Sequence, residues 1–367
     1  MEVLEYYQNK IPLSYDYTQR KCILTLAEDI NLYGVRGSGK TSMLLNLLQE
    51  EENPVLYIDL QDPKLIFDPL TSLQLQRFID KEQIHLLVLD HYEEGYLEKF
   101  PNVHRLIVIS RIKLKSQQFK PIELFPLDYE EFLAFENSHI KNQGFNHFLR
   151  LGTLPLIAQD PKHSTQLMKT FFLSSFNPNE QKLLLILAQH HTKHLTTHQI
   201  YTFAKEKFKV SKDWLYKTIK ALTQEKLILF IEDRYEKSRK KMFLFDFAFA
   251  KYLTLGQPFI IQFDTMVALA LIKHNIPVQT LGIHGYVTQT NELIISAPFE
   301  SEESLWLKSQ TKFSLYQQYN IQKVTIVTVA NSYTYNIDYL HFEALPFNEW
   351  SVINDEEDPL TSLGTNF

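Results

Sequence analysis

One stretch constrains this chain more than any other. Gly34-Val35-Arg36-Gly37-Ser38-Gly39-Lys40-Thr41 reads G-x-x-x-x-G-K-[ST] in full. It follows a short apolar run, Ile30–Tyr33, and opens a stretch to Glu50 in which Met43, Leu44, Leu47 and Leu48 recur at helix spacing. Strand, glycine-rich turn and helix in that order let successive backbone N–H groups converge on phosphate oxygens. The helix N-terminus adds the positive end of its dipole. The expected phosphate ligands are Gly34, Val35, Arg36, Gly37, Ser38, Gly39, Lys40, Thr41 and Ser42. Lys40 is expected on the β- and γ-phosphates and the Thr41 hydroxyl on Mg²⁺. The chain carries no Asn-Lys-x-Asp selector for guanine, so the expected nucleotide is ATP.

The surrounding pattern predicts the fold class. Pro54–Leu60, Leu86–Leu89, Leu106–Ile109 and Ile122–Phe125 read as further strands, and Thr71–Glu82 as a helix capped by Thr71 or Ser72. Near-continuous apolar strands alternating with helices imply α/β architecture, a P-loop NTPase with a mostly parallel sheet buried on both faces. Asp90 ends the Leu86–Leu89 run, where a carboxylate would hold the Mg²⁺ shell. A glutamate is expected directly after such an Asp to polarise water. This chain has His91 and Tyr92 there, then Glu93 and Glu94, which become the candidate water-positioning acids. Ser110-Arg111 follows the fourth strand, and Arg111 is a candidate γ-phosphate contact.

Composition narrows the setting. The single cysteine, Cys22, excludes an internal disulfide and a Cys-based zinc site. The N-terminal residues lack a basic and apolar leader, and no apolar run approaches the ~20 residues that span a bilayer. A cytoplasmic protein with no membrane role is expected. The net charge of −6 conceals an asymmetry. From Asn177 to Pro258 there are 15 Lys and Arg against 8 acids, and from Phe259 onward 4 Lys against 12 acids. Within the basic stretch, Asn179–His190, Thr197–Phe208 and Ser211–Gln224 read as helices, and Leu227–Ile231 and Met242–Phe245 as a hairpin, the pattern of a winged helix. Lys212, Lys217, Lys220, Arg234, Lys237, Arg239, Lys240 and Lys241 are the residues by which it would meet double-stranded DNA; the competing reading is a solvated basic face on a docking module. His190, His194 and His198 stand at i, i+4 spacing near His191, yet Thr196-Thr197 marks a helix boundary inside the cluster, against a metal site. A small α/β domain follows, with helices at Thr265–Lys273 and Glu302–Tyr319 and strands near Val278–Thr288, Leu293–Ser296 and Val324–Val329.

Pro126-Leu127-Asp128-Tyr129-Glu130-Glu131-Phe132-Leu133 resembles the P-L-[ST]-x-x-E-F-L segment of prokaryotic AAA-like and STAND-related P-loop ATPases, with Asp128 where that family has Ser or Thr. Gly152-Thr153-Leu154-Pro155 resembles its G-G-x-P element, with Thr153 for the second Gly, and Ser110-Arg111 resembles its Arg-terminated sensor strand. The resemblance implies an ATP-driven switch with a winged helix and a C-terminal domain related in fold to PD-(D/E)xK nucleases. The expected division is 1–135 ATPase core, 136–176 helical lid or linker, 177–257 winged helix, 258–355 nuclease-like domain and 356–367 flexible tail. No nuclease activity is expected: Leu293-Ile294-Ile295-Ser296 lacks the Glu-x-Lys, and only Asp264 and a displaced Lys308 remain as site candidates. The leading expectation is a slowly hydrolysing ATPase that couples nucleotide state to winged-helix docking, to a protein partner or to self-association. The alternatives are a DNA-binding or DNA-loading ATPase of the initiator-like kind and a non-hydrolysing ATP-binding scaffold.

Overall fold

The computed structural model describes residues 2–8, 11–12, 17–136 and 144–356. The chain divides into two compact units. One runs to Pro126 and takes in Leu154–Leu156; the other comprises Leu127–Thr153 and the residues from Ile157 on. The expected tail from 356 lies almost wholly outside the described residues.

In the first unit, α1 (Glu2–Gln8), β1 (Ile30–Tyr33), α2 (Lys40–Leu48), β2 (Val55–Asp59), α3 (Ser72–Glu82), β3 (Leu86–Tyr92), β4 (Arg105–Ser110) and β5 (Lys120–Glu123) follow in order. All five strands pair in parallel, in the order β2-β3-β4-β1-β5. Their apolar runs have no polar alternation because both faces are buried. Leu56, Ile58, Leu87, Leu89, Leu106 and Val108 pack with Leu75 and Phe78 of α3. The alternate residues Val55, Tyr57, Leu86, Val88, Ile107 and Ile109 pack with Met43, Leu44 and Leu48 of α2. This period of two on a two-sided core is the parallel-sheet signature. Thr71 caps α3 in a reciprocal box with Gln74. With the glycine-rich loop between β1 and α2, this unit has the P-loop NTPase fold.

The second unit starts with α4 (Tyr129–Phe135), α5 (Gly144–Leu151), α6 (Pro155–Gln159, whose first two residues belong to the first unit) and α7 (Ser164–Ser175). Asp128 caps α4 in a box with Glu131, so Asp at this position serves the same end as Ser or Thr. The winged-helix arrangement comprises α8 (Pro178–Gln189), β6 (His194–Leu195), α9 (Thr197–Lys207), α10 (Lys212–Gln224), β7 (Ile228–Glu232) and β8 (Lys240–Leu244), the strands ordered β6-β8-β7. Asn177, Thr196 and Ser211 cap its three helices. Next come α11 (Phe247–Tyr252), α12 (Phe259–Lys273), β9 (Val278–Thr280), β10 (Tyr286–Thr288), β11 (Glu292–Ser296), α13 (Glu302–Thr311), α14 (Phe313–Gln318), β12 (Lys323–Thr328), β13 (Tyr333–Ile337), β14 (Leu340–Pro346) and α15 (Phe347–Glu356). These build a mixed six-stranded sheet, β13-β14-β12-β11-β10-β9.

The C-terminal elements differ from their sequence reading in several places, among them the final helix Phe347–Glu356, which the reading lacks. The helix expected from Thr265 begins at Phe259; Gln262, Phe263, Met266 and Val267 are all buried, and burial around most of the helix hides its period. The helix expected over Glu302–Tyr319 breaks at Lys312 into α13 and α14. Strands β13 and β14 were not anticipated; β13 is a half-exposed edge paired with β14, too polar in Asn331–Asn336 to announce itself.

The histidine cluster is distributed rather than gathered. His190 stacks on Phe203 at 4.0 Å, His194 Nε2 lies 3.0 Å from Thr280 Oγ1, and His198 sits in the first turn of α9. His191 is fully engaged. The Leu244 N–H donates to its Nδ1 at 3.2 Å, so Nε2 carries the hydrogen and faces Thr265 Oγ1 at 2.7 Å, while that hydroxyl donates to the Ile261 carbonyl at 2.8 Å. The ring is 3 % exposed. Burial first, and the Lys241 charge second, push its pKa down to about 3. A protonated Nδ1 would also face the Leu244 N–H, donor against donor.

A histidine held neutral in the folded chain and free to protonate when unfolded binds fewer protons folded than unfolded between about pH 3 and the ordinary value near 6.5. Stability therefore rises with pH through that window and is lost as pH falls, by up to ~1.4 kcal/mol per pH unit from this group. Urea unfolding of the wild type and of His191→Asn at pH 7.5 and pH 5 measures it. The wild type should lose more stability between the two pH values than the variant; equal losses would remove His191 from the acid response.

Candidate functional site

The loop after β1 is shaped by contacts that leave no room for side chains. Gly34 has φ of +145°, and a Cβ there would lie 2.3 Å from the Leu124 carbonyl oxygen. Gly39, at φ +93°, is the N-cap of α2 and brings no side-chain cap to the helix end, where the helix dipole favours an anion. Lys40 Nζ turns back on the loop and donates to the Gly34 and Val35 carbonyls at 2.8 and 2.9 Å. Ser38 Oγ is buried without a hydrogen-bond partner. Beneath the loop, the buried Arg20 donates through Nη1 to the Ser38 carbonyl and through Nη2 to the Phe125 carbonyl, each at 2.8 Å. Sequence reading missed Arg20. A lone arginine 14 residues before Gly34 carries no motif, and only the fold brings it under the loop.

Asp90 lies at the carboxyl ends of the strands, on β3 beside Asp59 of β2. Its carboxylate is completely buried. Oδ2 accepts from Thr41 Oγ1 and from Tyr57 Oη, both at 2.8 Å, and Oδ1 accepts from the His91 N–H at 2.7 Å. Burial and then the Asp90 charge push the Tyr57 phenol well up, which keeps it a donor. Strand β3 does not end at Asp90 as its apolar run suggests. It continues to Tyr92 across an irregular register with β4, and His91 takes φ of +55°. That conformation is uncommon for a residue with a Cβ, though His tolerates it better than most. His91 Nδ1 lies 2.8 Å from Asp59 Oδ1 and 3.7 Å from Asp90 Oδ1. The Asp59 bond, outweighing the loss from burial, raises the His91 pKa. Burial alone would lift the Asp59 carboxyl, but His91 and the Gln61 N–H hold it below its ordinary value. Asp59 and Tyr57 went unread in the sequence, although Asp59 ends an apolar strand just as Asp90 extends one.

The remaining candidates are more dispersed. Glu93 and Glu94 occupy an exposed turn, and Glu94 lies 3.4 Å from Lys115. Ser110 Oγ accepts from Asn31 Nδ2 at 2.8 Å and donates to the Ile112 carbonyl at 2.6 Å, which fixes the end of β4 from which half-exposed Arg111 follows. Asn31, buried in β1, also takes the Leu114 N–H at 2.9 Å.

The basic set on the winged arrangement divides. Lys217, Lys220 and Lys240 line a groove between α10 and the hairpin, with a volume of about 910 Å³, together with His198, Tyr216 and Ser238. Lys212 lies over the Tyr216 ring, and Arg239 pairs with Glu236 at 3.1 Å. Lys237 stands in the turn between β7 and β8. Lys241 does not belong to that surface. It points inward, 2.7 Å from Asp264 Oδ2 and donating to Tyr286 Oη at 3.0 Å. Arg234 is likewise engaged with Asn291 Oδ1 at 2.8 Å. Lys241 and Arg234 thus depart from the expected DNA-facing set, because charge alone does not tell which face a wing residue takes. Asp264, one of the two nuclease-site candidates, is thus occupied by Lys241 and Tyr286, and Lys308 by Glu300. Among the described residues no group of three or more His, Cys, Asp or Glu side chains is arranged to hold a metal ion. Thr153 explains its own departure from the expected glycine: its N–H and hydroxyl both donate to the buried Asp246.

No family model matches the chain, and no curated protein matches it. Solved structures similar to it include the Aeropyrum pernix ORC1 protein in complex with DNA, at 14% identity over 62% of this chain and 86% of that one, with a TM-score of 0.31. Drosophila ORC bound to AT-rich DNA and Cdc6 is similar at 15% identity over 59% and 81%, with a TM-score of 0.18. Drosophila ORC bound to DNA gives 15% over 73% and 94%, with a TM-score of 0.22. Likeness at these scores carries no argument about function.

Replacing Gly34 by Ala should cost at least ~2 kcal/mol, because both the φ and the approach to Leu124 exclude a Cβ. Thermal unfolding checks this. A variant that melts with the wild type would mean that the loop does not pack against Leu124 as described.

Proposed function

We propose that this chain is an ATP-binding switch ATPase whose catalytic unit is the P-loop core. One observation carries the reading: Thr41 and Asp90, far apart in sequence, meet at 2.8 Å at the carboxyl ends of the strands, at the start of α2, which has no side-chain cap. A hydroxyl next to a buried carboxylate is the donor set a hydrated divalent cation takes. The uncapped helix end and the partnerless Ser38 hydroxyl suit phosphate oxygens. When bound, Mg²⁺ supplies positive charge to the β- and γ-phosphates. Gly34 through Ser42 would cradle the phosphates, Lys40 would leave the loop carbonyls for the phosphate oxygens, and Thr41 and Asp90 would hold the metal. Arg111, at the end of β4, is proposed to sense the γ-phosphate. The proposed division of the chain remains core 1–135, helical linker 136–176, winged helix 177–257 and C-terminal domain 258–355. That last domain is proposed to act as a structural or partner-binding module rather than a nuclease. No described helix is long and apolar enough to cross a membrane.

Lys40→Ala should fold normally and weaken ATP binding by roughly 10- to 100-fold, the worth of charge-assisted bonds to phosphate. Asp90→Asn should lose the Mg²⁺ dependence of binding. Titration with a fluorescent ATP analogue, with and without Mg²⁺, reads both. Wild-type affinity in Lys40→Ala would end the assignment.

A second reading, DNA engagement, is favoured by the groove that gathers Lys217, Lys220 and Lys240. Phosphate contacts give salt-dependent, sequence-independent affinity. Replacing all three by Ala should weaken binding about equally across duplex sequences and flatten its salt slope, read by fluorescence anisotropy. Wild-type protein that leaves duplex DNA unbound at low salt excludes this reading without touching the first.

A further inference from the structure

A sheet edge carries a row of unpaired backbone N–H and C=O groups. Native proteins guard such rows with a proline, a charge or a covering element. Of the four edges of the two larger sheets, three are guarded in this way. Strand β5 carries Lys120 and Pro121. Along β2, α1 packs Leu4 and Tyr7 into the cluster that holds Leu56 and Ile58. At β9 the chain that follows β7 takes over the edge, and the Arg234 N–H donates to the Thr280 carbonyl at 2.9 Å. The fourth edge is β13, which reads Tyr333-Thr334-Tyr335-Asn336-Ile337. It holds no charge, no proline and no register irregularity against β14. Among the described residues no strand pairs with its outer side.

Aromatic groups flank this edge. Tyr335 Oη meets Ser309 Oγ at 3.1 Å, and Tyr333 Oη donates to the Glu300 carbonyl at 3.1 Å, which sets both rings on the α13 side. Glu302, Trp306 and Ser309 share one face of α13, so Trp306 stands beside the tyrosines, 37 % exposed. Tyr339, just after the strand, is 55 % exposed. Tyrosine and tryptophan are the residues that interfaces gather. We propose that β13 pairs antiparallel with β13 of a second copy of this chain, about a two-fold axis at Tyr335, and joins two six-stranded sheets into one. In that register Tyr333 faces the partner's Ile337, and Thr334 faces the partner's Asn336. Apolar groups oppose apolar ones on the α13 side, polar groups oppose polar ones on the other, and no like charges meet within the strand. The same neutrality gives a charged peptide no advantage at this edge. Glu302 and Asp338 stand at its rim, so the copies repel weakly and salt favours the pair. A pairing of five residues lies at the low end of interface sizes, so the dimer is weak and concentration-dependent.

Sedimentation equilibrium of the full chain over a range of concentrations, at low and moderate salt, tests this. The wild type should dimerise reversibly, and more tightly at moderate salt. Thr334 and Asn336 are exposed, so substitutions there should keep the wild-type melting temperature. Thr334→Lys with Asn336→Lys sets lysine against lysine twice and should weaken the dimer by about 10-fold or more. Thr334→Glu with Asn336→Lys sets glutamate against lysine twice and should restore it. A parallel pairing would instead oppose like charges in both variants. A wild type that stays monomeric at every concentration and salt overturns the proposal. So does a dimer that the double-lysine variant leaves unchanged, and so does an equal loss in both variants.

Discussion

A carboxylate taken wholly out of water organises the first unit. An isolated buried charge of this kind costs several kcal/mol unless donors surround it. Asp90 is surrounded: a hydroxyl from the start of α2, a phenol from β2 and its own neighbour's N–H all point at it. Each donor is fixed by a different piece of the fold. The turn into α2 must place Thr41, β2 must register with β3 to place Tyr57, and the peptide that follows Asp90 must turn the His91 N–H inward, before a positive φ at His91 redirects the strand. The bend then sets the imidazole against Asp59. One buried charge thereby links helix, sheet register and loop geometry.

The second unit follows the same rule with charges of opposite sign. The winged arrangement is basic by composition, yet two of its cations are turned to internal use, Lys241 on Asp264 and Arg234 on Asn291. Lys273 performs a comparable service at α4, where it lies 3.2 Å from Asp128 and 2.7 Å from Glu131. The capping carboxylates of α4 are therefore held from two directions, by backbone N–H groups and by an ammonium from α12. An aromatic hub completes the packing there: Phe148 meets Tyr129, Phe132, Phe247 and Phe347 at 5.1 to 6.2 Å between ring centres.

What could be read from the sequence was what depends on local pattern. The strand–loop–helix unit, the five apolar runs of the sheet, the caps at Thr71 and Ser211 and the three helices of the winged arrangement all have short-range signals, and the structure places them within a few residues of expectation. The candidate site was half visible. Thr41 and Asp90 each announced themselves by motif and position, but their meeting depends on strand order, with β4 lying between β3 and β1. Tyr57 and Arg20 gave no signal, and Asp59 only its place at the end of an apolar strand, because their roles come from neighbours 18 to 105 residues away. The helix at Phe259 was cut short in the reading because burial on nearly every side erases the periodicity that marks a surface helix.

The His191 ring is a wing-side group completed by a hydroxyl from beyond the winged arrangement, since Thr265 lies on α12. Asp233 makes the same kind of claim, taking the Thr280 hydroxyl and the Gly282 N–H. A winged module cut away at its apparent boundary would carry off a buried imidazole and a carboxylate with their partners left behind. The visible seam in the sequence is thus not a place where this polypeptide can be recombined. In gene shuffling the winged arrangement and the sheet that follows it would have to travel together, and a lineage that exchanged one would first have to replace these buried polar groups with apolar ones.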